Sequence, residues 1–372
     1  MKVALELQPC AGQRSGVGVY TYELAKRLKN DEDISYIGNV FNPPFSKGKD
    51  YAIKGIPFPI WYTSTLPYGV YRRIWDYVPL SYKLFFNNHS DITHFFNYIV
   101  PPRIEGHVID TIHDMCYQLY PETLDPKNLK RITHDIDYSI DRSDLLIAVS
   151  ENTKQDIINL LNVPSSKIHV IYNGVTPMAS KNKLEEVQQR FSFTHPYILY
   201  VGNLEPRKNI ERLVLAYAKL KKEINIPHQL VLAGQKGWLY DTIFQTVLSK
   251  GLQDDVIFTG YISESEKAAL YTNASLFAYP SLYEGFGIPI LEAMSAGIPV
   301  VCSNTSSMPE VAGEAALFVN PLDVDDIASG MFSLLSDEAL RATKIALGKI
   351  QTTKFSWDKS AEDLGNLYRS MM

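Results

Sequence analysis

Two glutamates separated by seven residues, Glu284 and Glu292, frame the stretch YEGFGIPILEAM at residues 283–294. Between them stand Gly285, Phe286 and Gly287, followed by Ile288 and Pro289. Carboxylates accept hydrogen bonds from hydroxyls, and glycine lets a ligand approach backbone amides. Proline at the opening of a helical pattern marks a first turn, whose free N–H groups and positive dipole end favour an anion. The combination suits a molecule that carries hydroxyls and phosphate together. Glu284 would accept from hydroxyls near the loop. Glu292, one turn into the helix, would take a diol such as that of a ribose or a hexose. The bland alternative is a loop leading into an amphipathic helix with two solvated carboxylates. The glycines, and the position just after the apolar run LFAYPS, favour the chemical reading.

Three further places have residues of the right type. VGNLEPRKNIERL at 201–213 follows the apolar run YILYVG and carries Arg207 and Lys208 ahead of a helix expected near Asn209. A guanidinium fork beside an ammonium suits a diphosphate. Two solvated loop cations, of little consequence for stability, are the alternative. RSGVGVYTYELAKRL at 14–28 places Gly16 and Gly18 at a helix opening, as in a phosphate-cradling turn. Thr21 occupies the third glycine position of a dinucleotide fingerprint, and no acidic residue ends a second strand to hold an NAD ribose. A tight strand-to-helix turn explains these glycines equally well. VIDTIHDM ends an apolar strand with His113 and Asp114. A histidine there binds a hydroxyl or moves a proton, or else is a satisfied core residue. His94, His107, His134 and His169 have no comparable setting, no cluster has metal-ligand spacing, and no nucleophile elbow is present.

The elements that must position these residues alternate between short apolar strands and helical patterns. KVALEL, HVIDTIHD, DLLIAVS and KIHVIYNGV make one series; YILYVG, QLVLAG, VIFTG, LFAYPS and PVVCS make a second. Such alternation predicts right-handed βαβ units and parallel sheets, with ligands beyond the carboxyl ends of the strands. Ser263 and Glu266 fit a capping box, and Gly297 fits a helix C-terminus before Pro299. The polar stretch 175–195 is the expected linker between two doubly wound domains, and residues 42–90 are less regular.

A chain of 372 residues exceeds what one core usually holds. With 36 basic and 41 acidic side chains, the net charge is -5 and no nucleic-acid partner is expected. Three scattered cysteines suit a reducing compartment. No apolar run reaches the ~20 residues of a membrane span, so a cytoplasmic protein is expected, with membrane contact at most peripheral. The segment 68–86 combines Arg72, Arg73 and Lys83 with Tyr, Trp and Phe, and is the candidate for that contact. An aromatic-rich packed segment is the competing explanation.

Taken together, SLYEGFGIPILEAMSAGIPVVCSNTSSMPEVAG, YVGNLEPRKNIERL, LVLAGQKGWLYD, DTIHDM, DLLIAVSENTKQDI and SGVGVYTYEL resemble the family-four retaining glycosyltransferases of the GT-B fold. The likeness spans nearly the whole chain, is strongest from about 195 to 320, and leaves out the irregular 42–90. EPRKN with AGQKGW resembles the subgroup of mannosyltransferases that act on GDP-mannose. The resemblance implies an α/β architecture of two facing Rossmann-like domains with an interdomain cleft. Residues 1–177 would form the acceptor side and 178–355 the donor side, with the last helix, 356–372, packed back onto the first domain. It implies that Glu284 binds donor-sugar hydroxyls with the amides of Phe286 and Gly287, and that Gly285 and Ile288 complete that loop. Glu292 would bind the ribose. Arg207 and Lys208 would hold the diphosphate and stabilise the leaving group. Gly16 and Gly18 would lie against donor phosphate and acceptor, and His113 would contact the transferred sugar.

The expected activity is transfer of a hexose, mannose favoured, from a nucleotide sugar, GDP-mannose favoured, to an acceptor hydroxyl of a growing glycan or lipid-linked saccharide, with retention. No cofactor and no metal are expected, because fixed cations and helix N-termini suit a developing diphosphate charge and no aspartate cluster accompanies the phosphate loop. The family implies front-face attack in which the leaving phosphate helps deprotonate the acceptor; a covalent Glu284 adduct is the alternative. The rival readings are a sugar-nucleotide epimerase of the same fold, an NAD-dependent enzyme, and a non-catalytic sugar-nucleotide-binding protein.

Overall fold

The apolar runs form two all-parallel sheets. The first holds β1 (Lys2–Glu6), β2 (Ser35–Phe41), β3 (Ile60–Thr63), β4 (Ile92–Phe95), β5 (His107–Ile112), β6 (Leu145–Ala148) and β7 (Ile168–Val170), in the order β3-β2-β1-β4-β5-β6-β7. The second holds β8 (Tyr197–Val201), β9 (Gln229–Ala233), β10 (Val256–Gly260), β11 (Leu276–Tyr279), β12 (Val300–Ser303) and β13 (Ala316–Val319), in the order β10-β9-β8-β11-β12-β13. Their interiors are dry, as a parallel sheet covered on both faces requires: Val3, Leu5, Leu146, Ile147, Leu199 and Val300 have no exposed surface. This structure, a computed structural model, describes residues 1–12, 15–41, 53–86, 89–178, 184–194 and 196–371. Arg14, residues 42–52 and 87–88 of the irregular segment, and 179–183 and 195 of the expected linker lie outside the described residues.

Four strands, β2, β3, β4 and β13, do not stand out in the sequence. Buried polar residues disguise two of them: Asn39 in β2, and Thr93 and His94 in β4, are each at most 2% exposed. The predicted capping box is present, with Ser263 accepting from the Glu266 amide. Gly297 follows the helix Ile288–Ser295 with φ of 77°, a left-handed conformation that favours glycine.

In each sheet the strand order reverses once, between β1 and β4 and between β8 and β11. Crossovers on either side of such a point leave the sheet in opposite directions, so the loops there diverge and leave a crevice. The loop after β1 leads to Gly16 and Gly18. The loop after β8 carries Arg207 and Lys208, and the loop after β11 carries Glu284.

The chain divides into two compact units, one of Met1–Met115, Lys127–Gly174 and Trp357–Met372, the other of Cys116–Pro126 and Val175–Ser356. The crossing into the second unit comes at Gly174, three residues before the boundary expected from sequence. The helix Trp357–Arg369 belongs to the first unit. Gly174 admits it: a Cβ there would lie 2.2 Å from the Trp357 amide nitrogen. His94, in β4, bonds through Nδ1 to the Tyr368 hydroxyl at 2.6 Å and through Nε2 to Thr111 at 2.8 Å. Ser360 donates to the Tyr172 carbonyl at 2.7 Å. The segment Cys116–Pro126 was not expected outside the N-terminal half, yet it clusters with the second unit. Trp238 Nε1 donates to the Thr123 carbonyl at 2.6 Å, and the Tyr120 ring lies 5.9 Å from that of Tyr283.

Candidate active site

In the second unit a short 3₁₀ turn, Pro206–Lys208, ends at Asn209, whose φ of 58° turns the chain into the helix Ile210–Glu223. Asn209 is buried and its side-chain Nδ2 donates to the carbonyls of Pro280 and Pro321, at 2.8 and 2.6 Å. The Leu282 amide donates to the Arg207 carbonyl at 2.9 Å. These bonds lock the loop after β8 against the loop after β11.

The result is a buried charge cluster. Arg207 Nη1 donates to Glu284 Oε2 at 2.8 Å and to the Tyr283 carbonyl at 2.7 Å. Lys208 Nζ donates to Glu284 Oε1 at 2.6 Å and to the Tyr279 hydroxyl at 2.9 Å. Arg207 Nη2 reaches Glu205 Oε1 at 3.0 Å. Burial pushes the Glu284 carboxyl up, but the two cations overcome it and hold it at about 2. The pairing corrects the solvated-cation alternative: the Lys208 side chain is only 11% exposed and the Glu284 side chain 8%.

Glu284 is aimed by a serine-rich loop after β12. Its amide donates to Ser306 Oγ at 3.0 Å, and Ser307 Oγ donates to the carbonyls of Glu284 and Phe286 at 2.8 and 2.9 Å. Phe286 is buried with its ring edge-on to Phe355. Gly287 takes φ of 101° as the N-cap of the helix Ile288–Ser295, with Pro289 in its first turn. Gly285 lies between Glu284 and Phe286 in the same loop. Glu292 is not on a wet helix face. It is 9% exposed, and its Oε1 accepts from Lys267 Nζ at 2.8 Å.

The other predicted residues belong to the first unit. Gly16 and Gly18 open the helix Gly16–Ala25, where Ser15 Oγ accepts from the Gly18 amide at 3.5 Å. A Cβ at Gly16 would meet nothing within 4 Å, and its backbone is not left-handed, so nothing internal requires glycine there. His113 follows β5. Its Nε2 lies 2.8 Å from the Phe96 carbonyl, which makes Nε2 the protonated nitrogen and leaves Nδ1 as an acceptor. Burial lowers its pKa, so the ring is neutral near pH 7. Tyr20 stands edge-on to it at 5.2 Å.

Sequence reasoning missed Glu205, Asn209, Tyr279, Lys267 and the Ser306–Ser307 pair. The first two lie inside EPRKN and were readable as neighbours of the cations. Lys267, on the separate helix Glu264–Asn273, gave no local signal. Among the described residues, one His/Asp group has ligand atoms within 4.8 Å of one another: Asp76, His134 and Asp135, in the first unit. Asp135 is already paired there with Arg72. Of the three cations of segment 68–86, Arg72 is thus satisfied within the protein, as is Lys83 by Glu105. That weakens the electrostatic case for a membrane surface, although Tyr77, Val78 and Leu84 are exposed. No described helix is long and apolar enough to cross a membrane.

Two family models match the chain, Glycosyltransferase Family 4 over residues 14–178 and Glycosyl transferases group 1 over residues 182–351. The O-antigen chain mannosyltransferase B of Escherichia coli is 32% identical over 386 residues, covering 99% of this chain and 100% of that protein. This chain belongs to glycosyltransferase family 4. The serotype-specific mannosyltransferase WbdA of Escherichia coli is 32% identical over 286 residues, which is 74% of this glycosyltransferase but 35% of WbdA. The solved sucrose-phosphate synthase from Thermosynechococcus elongatus superposes with a TM-score of 0.76 at 21% identity, covering 100% of this chain and 99% of that one. The fold is therefore GT-B, and the chain is a glycosyltransferase.

Proposed function

We propose that this glycosyltransferase moves mannose from GDP-mannose to a hydroxyl of a growing glycan or lipid-linked saccharide, with retention and without a metal or other cofactor. The observation that carries the reading is the buried Glu284 carboxylate held ionised between Arg207 and Lys208 beside the opening of the helix Ile288–Ser295. An ionised carboxylate with spare lone pairs accepts from sugar hydroxyls, while its two cations and the helix N-terminus attract a diphosphate. Glu292, five residues into that helix, takes the ribose hydroxyls. The names of the mannosyltransferase relatives support mannose as the sugar.

As the sugar–phosphate bond breaks, negative charge grows on the leaving oxygen. Lys208 and Arg207 are fixed in place before the reaction, so they stabilise that charge without reorganising. They supply the positive charge that Mg²⁺ supplies elsewhere. His113, in the first unit, is neutral, and its Nδ1 can accept from a hydroxyl.

The test is a thermal-shift panel of GDP-, UDP- and ADP-sugars, followed by transfer assays with and without EDTA and NMR of the anomeric product. Stabilisation by GDP-mannose above the others, EDTA-insensitive turnover and an α-linked product are expected. An inverted linkage, or loss of turnover in EDTA restored by Mg²⁺, refutes the corresponding part. An epimer formed from donor alone would favour the epimerase reading.

A further inference from the structure

We propose that Glu205 is a positioning residue for the transfer reaction: it holds the Arg207 guanidinium on the diphosphate side of the site while Glu284 engages the sugar. The proposal rests on the donor-site reading above. Arg207 lies between two carboxylates, with Nη2 on Glu205 Oε1 at 3.0 Å and Nη1 on Glu284 Oε2 at 2.8 Å. The Glu205 side chain is 5% exposed, less than that of either cation it serves.

Glu205 stands on backbone that has little freedom. The Leu204 amide donates to the Gln235 carbonyl at 2.8 Å, and the Gly237 amide donates back to the Leu204 carbonyl at 3.0 Å. The two loops approach so closely that a Cβ at Gly237 would lie 2.7 Å from the Leu204 oxygen, and one at Gly234 would lie 1.9 Å from the Gly202 oxygen. The Glu205 carbonyl also accepts from the Lys208 amide at 3.0 Å, closing the turn that carries both cations. The carboxylate is therefore a fixed post.

Glu284 has two tasks that compete. It neutralises Arg207 and Lys208 in the empty site, and it must offer oxygens to the donor sugar when the site is filled. Without Glu205, Arg207 would keep its Nη1 contacts to Glu284 and the Tyr283 carbonyl, but Nη2 could turn onto Glu284 as well. With Nη2 fixed on Glu205, the fork keeps its orientation whatever Glu284 does, and less rotamer freedom is lost when the diphosphate arrives.

The experiment compares Glu205→Ala with Glu205→Gln, alone and combined with Arg207→Ala, measuring kcat, KM and calorimetric binding of free nucleoside diphosphate. Glu205→Ala should lower kcat on the order of 10–100-fold, the range for displacing a reacting group by about an ångström. Glu205→Gln keeps an oxygen for Nη2 and should restore most of that loss. In the Arg207→Ala background, adding Glu205→Ala should cost little more, because the partner it positions is gone. A purely structural residue would give a lower melting temperature with the kinetics of the folded fraction unchanged. Equal kinetics for the Ala and Gln variants, or additive losses with Arg207→Ala, overturn the role of Glu205 in an active wild type. A wild type that binds no nucleoside diphosphate overturns the donor-site reading, and this proposal with it.

Discussion

Replacing Lys208 with alanine separates ground-state binding from catalysis. Lys208 Nζ lies 2.6 Å from Glu284 Oε1 and 2.9 Å from the Tyr279 hydroxyl. If it meets the charge that grows on the leaving diphosphate, its removal should lower kcat by ~10²–10³. Donor affinity should fall less, because in the proposed site Arg207 and the helix N-terminus would still hold the ground-state diphosphate. The buried pairing adds a stability effect that a solvated loop cation would not have. Glu284 falls from an ordinary 4.5 to about 2, a differential interaction of about 3 kcal/mol that the two cations share against burial. That figure is net of the burial penalty, so the cations' own share is larger, and losing Lys208 should cost on the order of 3 kcal/mol in stability. The Glu284 contribution is present above pH 4.5 and is lost as pH falls towards 2. In the variant the folded-state carboxyl titrates closer to 4.5, so the acid loss of stability should be smaller and complete at a higher pH than in the wild type. Steady-state kinetics, calorimetric donor binding and urea unfolding across the acid range measure all three quantities. An unchanged kcat with only KM raised would make Lys208 a uniform binding group and refute the catalytic argument. An unchanged acid limb would refute the pairing.

If Glu292 holds the donor ribose as proposed, Lys267→Ala should raise KM for the donor with little change in kcat, because Lys267 fixes Glu292 Oε1 and a ribose does not react; a fall in kcat at unchanged KM would contradict this. His94 is buried between Tyr368 and Thr111, and burial holds its pKa down at about 3. The stability it confers is present above pH 6.5 and is lost as pH falls towards 3. Protection of the helix Trp357–Arg369, taken relative to the intrinsic exchange rate at each pH, should fall across that window in the wild type and less so in His94→Gln. Trp238→Phe removes the donor to the Thr123 carbonyl and should cost about 1 kcal/mol locally. Faster exchange confined to Cys116–Pro126, with the sheet strands unchanged, is the expected pattern; uniform acceleration would mean that Trp238 supports the whole unit.

The class of fold and the charge-bearing residues were legible in the amino-acid sequence. Alternating apolar runs and helical patterns imply parallel sheets because strand and helix periodicities are local properties of the chain. Glycine at 287 and proline at 289 mark the helix opening for the same reason, since φ preferences belong to single residues. The buried partnerships were not local. Arg207 and Glu284 lie 77 positions apart, and they meet because β8 and β11 are neighbours at the point where the strand order reverses. Lys267 reaches Glu292 across 25 positions from another helix, and His94 reaches Tyr368 across 274. Strand order follows from how crossovers pack over the whole sheet, which no short window contains. Whether a loop cation is solvated or locked in a buried ion pair depends on that order, and here it follows from β8 packing beside β11.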